Sequence, residues 1–159
     1  MVDRIARARA VLAAVADPEL PMLSIVDLGM ARGIEIVGGT LEVALAPTYT
    51  ACPATAAIAL DAEAALLRAG LGPARVRTVL APAWTTDWIT DEGRRKLAAA
   101  GIAPPPATSG RGALVGMPAP ACPRCGSAET ETVSAFGATA CKALMRCLGC
   151  REPCEPLNS

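Results

Sequence analysis

Two short motifs near the end of the chain hold the residues best suited to chemistry: Cys122-Pro-Arg-Cys125 and Cys147-Leu-Gly-Cys150, separated by 21 residues. A Cys-x-x-Cys turn can wrap one metal ion so that both sulfurs face it, and two such knuckles close a tetrahedral site of four cysteines. Four thiolates on one ion leave no open position, so the site is of the structural kind and does not take substrate. Gly126 and Gly149 relieve the backbone at the two turns. Zinc is the first reading of this spacing. Two surplus cysteines, Cys141 and Cys154, keep an iron-sulfur centre open as the alternative. A disulfide-stapled tail is the third reading, disfavoured because an intracellular chain keeps its thiols reduced. Phe136 is the sole aromatic residue of segment 122–159. Such a segment buries too little apolar surface to fold alone, and a bound metal would contribute on the order of 10 kcal/mol.

The remaining cysteine stands apart, in the polar loop Pro47-Thr48-Tyr49-Thr50-Ala51-Cys52-Pro53. Pro53 suits the first position of a helix, which would make Cys52 its N-cap. There the unpaired amides and the macrodipole stabilise a thiolate, improving it as nucleophile and as metal ligand. The competing reading is a buried small residue that substitutes for a cap. Asp17-Pro18-Glu19-Leu20-Pro21 and Asp27-Leu28-Gly29 read as turns, and residue chemistry alone makes neither a site.

The absence of histidine among 159 residues excludes a Ser-His-Asp triad, a His-assisted cysteine nucleophile and the common histidine-containing iron sites. Charges balance at 15 basic and 15 acidic residues, neither half has the basic excess that binding a phosphate backbone needs, and only four aromatics are present. Nucleic acid is therefore not an expected partner. Arg4, Arg7 and Arg9 precede an apolar run that ends in Ala14-Val15-Ala16, like a secretion signal, but the run is seven residues long and Asp3 interrupts the basic region. An amphipathic helix with Ile5, Val11, Leu12 and Val15 on one side is the preferred reading. The 18 uncharged residues 43–60 are cut by Pro47 and Pro53, so no membrane span is expected and the chain reads as cytoplasmic.

The elements that must position these cysteines follow from periodicity and punctuation. A helix over 3–16 ends at Asp17-Pro18. Strands over 30–37 and 40–46 join through Gly38-Gly39, a two-residue hairpin signal. A helix over 53–69 closes at Gly70, a strand covers 75–80, and a last helix runs from Thr90 to Gly101 with Asp91 and Glu92 in its first turn. The order α-β-β-α-β-α gives a small α+β domain over 1–102. Its core is compact, since 34 of the hydrophobic residues are alanine. Residues 103–121, with five prolines and three glycines, form a linker, and 122–159 form the cysteine-rich module.

Taken together, Asp17-Pro-Glu-Leu-Pro21, Ile25-Val-Asp-Leu-Gly29, the hairpin and the Thr48 to Pro53 loop resemble the SufT-like iron-sulfur assembly domain family. The tail, through Cys122-Pro-Arg-Cys-Gly-Ser127, the stretch Ser134 to Leu144 and Arg146-Cys147, resembles the zinc-ribbon-like tail of one branch, the D subunits of phenylacetyl-CoA epoxidase systems. The resemblance implies a non-catalytic accessory or maturation protein of aerobic phenylacetate degradation, with the subunits of the phenylacetyl-CoA oxygenase complex as partners. It further implies labile iron or an iron-sulfur cluster at Cys52 with Asp17 and Glu19 nearby, and metal at Cys122, Cys125, Cys147 and Cys150. Cys141 falls in a matched stretch as an additional ligand, whereas Cys154 is not matched to the pattern and reads either as a substitute ligand or as incidental. One exposed thiolate does not hold an ion tightly, so a labile site would be completed across a homodimer or by the client. Two other readings compete: a zinc-stabilised docking subunit that transfers nothing, and a thiol enzyme using Cys52, which lacks an identified base.

Overall fold

The computed structural model describes residues 2–105 and 119–157, so most of the expected linker lies outside the described residues. The chain forms two compact units, one running to Trp84 and the other beginning at Thr85.

The first unit comprises α1 (Val2–Leu12), β1 (Ala31–Val37), β2 (Thr40–Leu45), α2 (Thr55–Arg68) and β3 (Ala74–Thr78). Strands β1 and β2 pair antiparallel, and β2 and β3 pair parallel, which places β2 in the middle of the sheet. Gly38 and Gly39 both take positive φ, 55° and 84°, as a tight hairpin between right-twisted strands requires. Leu41, Val43 and Leu45 alternate into the core from β2, and Ile58, Ala62 and Leu66 of α2 are fully buried with them. The expected order of elements is thus present. The end of the first helix differs. Helix α1 stops at Leu12, where Ala14 and Val15 donate to carbonyls three residues back and tighten the turn. Beyond it Ala16 bridges to Ser24, so tertiary pairing ends the helix before Pro18 does. At the other end of α1, the Arg4 guanidinium donates to the carbonyls of Gly39, Leu71 and Gly72 at 2.9, 2.8 and 3.1 Å, tying the helix to the hairpin and to the α2–β3 connection.

The second unit holds a short 3-10 turn (Thr86–Trp88), α3 (Asp91–Ala99), β4 (Ile102–Ala103), β5 (Thr130–Ser134), β6 (Leu144–Cys147) and β7 (Pro153–Pro156). Thr90 caps α3 by accepting from the Gly93 amide at 3.0 Å. The four strands form one sheet in the order β4-β7-β6-β5. Because β4 pairs parallel with β7, the helix expected to close the first domain belongs to the unit that carries the cysteine-rich tail. The compact units therefore divide at 84/85 and not at 102/103. A two-residue strand carries no periodicity, which is why residues 102 and 103 do not read as one in the sequence. Among the described residues, no helix is long and apolar enough to cross a membrane.

Candidate metal centre

The tail builds its site from two equivalent turns. In the first, the Cys122 amide donates to the Ser127 carbonyl and the Gly126 amide to the Cys122 carbonyl, both at 2.8 Å. In the second, the Cys147 amide donates to the Glu152 carbonyl at 3.0 Å and the Cys150 amide to the Cys147 sulfur at 3.4 Å. The residue after each second cysteine is left-handed, Gly126 at φ 75° and Arg151 at φ 64°. Gly149 serves differently from the expectation. Its φ is not in the left-handed range, but a Cβ there would meet Ser127 Cβ and Oγ at 3.1 Å, so glycine lets the second knuckle close against the first.

These turns bring the sulfurs of Cys122, Cys125, Cys147 and Cys150 within 4.8 Å of one another. Cys122 and Cys150 lie 3.8 Å apart, and Cys125 and Cys147 3.5 Å apart. Four sulfurs at about 2.3 Å from a central zinc form a tetrahedron with edges of about 3.8 Å. The cage is thus sized for a single ion. A polynuclear cluster would hold its cysteines apart by the width of its own irons and sulfides. Cys122 and Cys147 are buried, while Cys125 and Cys150 face solvent.

Electrostatics point the same way. The Cys150 amide pulls the Cys147 thiol down to about 6, and the amides of Cys125 and Arg124 lower Cys122. At Cys150 the Glu152 amide favours the thiolate, but the neighbouring sulfurs of Cys147, Cys125 and Cys122, with some desolvation among them, outweigh it and push the group up to about 12. Thiolates gathered this closely resist further ionisation, and a divalent cation at their centre removes that resistance.

Cys141 and Cys154 are outside this set of four. Cys141 contacts Thr139 Oγ1 at 3.0 Å. Cys154 is buried on β7 opposite Met145, and burial raises its thiol, with the Cys122 and Cys147 sulfurs adding to the effect. It is a fifth sulfur beside the cage, and nothing in its spacing from the two motifs foretells this.

The first unit arranges its candidates otherwise. Helix α2 starts at Thr55 with Ala54 in the cap position and no side-chain cap, so Cys52 is not the N-cap. The chain enters α2 through a preliminary turn in which the Cys52 amide donates to Tyr49 O at 3.0 Å and its carbonyl accepts from Thr55 at 3.2 Å. The Cys52 side chain is half-buried. Asp17 is buried, and its Oδ1 accepts from the amides of Glu19 and Leu20 at 2.8 and 2.9 Å. Burial pushes its carboxyl up, while those two amides oppose the shift. Asp27, also buried, accepts from the Ser24 amide while its own amide donates to Ser24 Oγ, each at 3.0 Å, a reciprocal box readable in Ser24-Ile-Val-Asp27. Among the described residues, the four tail cysteines are the one group of three or more potential ligands close enough to share an ion. Cys52, Asp17 and Glu19 do not form another within one chain.

Comparison with known proteins agrees with both units. Residues 5–80 match the family described as Iron-sulfur cluster assembly protein, and residues 106–158 match the PaaD zinc beta ribbon domain. A crystal structure of a DUF59 domain from Bacillus anthracis superposes with a TM-score of 0.56, covering 60% of this chain and 92% of that one at 23% identity, a likeness of fold. A protein of Escherichia coli (strain K12), provisionally named as the D subunit of 1,2-phenylacetyl-CoA epoxidase, is 44% identical over 144 residues, 91% of this chain and 86% of its own length. With that identity spanning both the assembly-type fold and the four-cysteine ribbon, the chain belongs to the PaaD family.

Proposed function

We propose that the chain is a non-catalytic accessory subunit of a phenylacetyl-CoA epoxidase system in the cytoplasm, and that it assembles or delivers iron or an iron-sulfur centre to the oxygenase of aerobic phenylacetate degradation. The observation that carries this reading is the joining, in one chain, of an iron-sulfur assembly domain with a closed four-sulfur cage that offers no position to a substrate. Cys122, Cys125, Cys147 and Cys150 hold one zinc ion, whose tetrahedral edge matches the sulfur spacing, and the ribbon it stabilises docks the oxygenase subunits. Iron is cargo. Cys52 is its labile ligand in the first unit, and Asp17 and Glu19 lie on the segment that assists it. Completion of that site by a second chain or by the client accounts for the lack of a three-ligand group around Cys52 in a single chain.

A second reading rests on the buried Asp17 carboxyl, whose Oδ1 two backbone amides already occupy. On this reading the chain is a zinc-stabilised docking subunit that transfers no metal. Producing the oxygenase subunits together with wild-type chain, Cys52→Ser or Cys147→Ser separates the two. Delivery predicts that Cys52→Ser leaves the complex assembled but the oxygenase poor in iron. Docking alone predicts full iron with Cys52→Ser and a lost complex only with Cys147→Ser.

A further inference from the structure

Helix α2 buries Ile58, Ala62 and Leu66 and turns a second apolar stripe outward. Leu60 is 70% exposed and Leu67 51% exposed, seven residues apart and so on one side of the helix, with Ala64 between them. On the flank of this stripe that faces α1, about a quarter turn round the helix, run Asp61 and Arg68, also seven apart, and they line a groove of about 610 Å³ together with Val11, Val15 and Ala65. Asp61 and Arg68 are exposed and carry no ion pair among the described residues. Large aliphatic side chains left in water beside two unpaired opposite charges mark a surface that a partner covers.

The arrangement of the charges selects the partner. A two-fold axis turns every contact between residues i and j into a contact between j and i. Two α2 helices crossing antiparallel with the axis between Ala64 and Ala65 bring Asp61 of each copy to Arg68 of the other, so one operation satisfies all four charges. The small side chains at the crossing allow the helix axes to approach closely. A face made for a foreign acidic or basic partner would carry one sign of charge.

We propose that the outward face of α2 is the contact surface of a homodimer, with Leu60 and Leu67 buried across the two-fold axis and Asp61 paired with the partner subunit's Arg68. This inference stands independently of iron delivery.

Sedimentation velocity on the full-length, metal-loaded chain at roughly 1 to 100 µM, the range in which a modest interface is half-dissociated, reads it directly. Wild-type chain forms a dimer. Asp61→Arg alone and Arg68→Asp alone each weaken it at least tenfold by setting like charges against each other. An equimolar mixture of the two variants restores the dimer, because each cross-contact again joins opposite charges. All these side chains lie at the surface, so the variants keep the fold, which circular dichroism verifies. Three results overturn the proposal: a wild-type monomer at every concentration, which would leave the face to another protein; a dimer indifferent to both charge reversals; or a mixture no more associated than either variant alone.

Discussion

Replacing Cys147 by serine removes one of the four sulfurs of the tail cage and one of its two buried ones. The side chain lies at the end of β6, 3.5 Å from the Cys125 sulfur, and accepts from the Cys150 amide. Structural zinc binds with roughly 10–16 kcal/mol of apparent free energy near neutral pH, so one thiolate of four accounts for about 2.5–4 kcal/mol. The expected loss is therefore roughly 70- to 900-fold in zinc affinity. Little else holds the ribbon: among the described residues from Cys122 onward, its buried apolar side chains besides the cysteines are Ala143, Met145, Pro156 and Leu157. Metal binding and folding of this sheet should consequently titrate together. Cys154→Ser is the matched control. It is also a buried cysteine, 5% exposed, but it lies outside the set of four. Its effect should stay below about tenfold, at the low end for groups that only support a ligand. Competition with a chromophoric chelator gives the affinities, and circular dichroism along the same titration gives the folding. Zinc affinity of Cys147→Ser within about threefold of wild type would refute the cage, as would a loss in Cys154→Ser equal to that in Cys147→Ser.

Other expectations concern the framework. Leu66→Ala, at a fully buried position of α2, should cost about 3–5 kcal/mol in urea unfolding of the first unit. Asp17→Asn should leave stability at neutral pH unchanged or raised, because an amide oxygen still accepts from Glu19 and Leu20 without a buried charge, whereas Asp17→Ala should cost about 1–3 kcal/mol. A hydrogen bond from Lys142 at 2.9 Å holds the Glu155 carboxyl below its ordinary value of 4.5. A depressed folded pKa contributes stability above the unfolded value that is lost as pH falls through the lowered one, so Lys142→Met should flatten the acid limb of ribbon unfolding below about pH 4.5. Arg4→Ala, which frees three loop carbonyls, should lower unfolding free energy by about 1–3 kcal/mol without changing zinc content.

What is legible in the sequence divides along physical lines. The alternation of Leu41, Val43 and Leu45, the paired glycines of the hairpin and the Thr90 cap are local signals, and each appears where its chemistry demands. The four tail cysteines are equally plain, because ligand spacing within a Cys-x-x-Cys turn is set by the turn itself. Tertiary decisions are not legible. The end of α1 depends on Ala16 pairing with Ser24, and the assignment of α3 to the second unit depends on β4 meeting the distant strand β7. Cys52 shows the limit most clearly. A Cys-Pro before an alanine-rich run reads as a cap, yet the chain makes one more turn before α2 begins. Cys154 shows the converse, a residue without a motif that the β6–β7 pairing sets beside the cage.

On the function proposed above, the chain hands iron to its client through Cys52. Its most direct test is anaerobic incubation of zinc-loaded chain, charged with isotopically labelled ferrous iron, with the iron-free oxygenase subunits, followed by separation and counting of the label. The account predicts that wild-type chain moves label into the oxygenase faster than the same concentration of free ferrous ion, and that Cys52→Ser, with its zinc and its docking intact, does not. Equal transfer by the two proteins, or none by either, would contradict it.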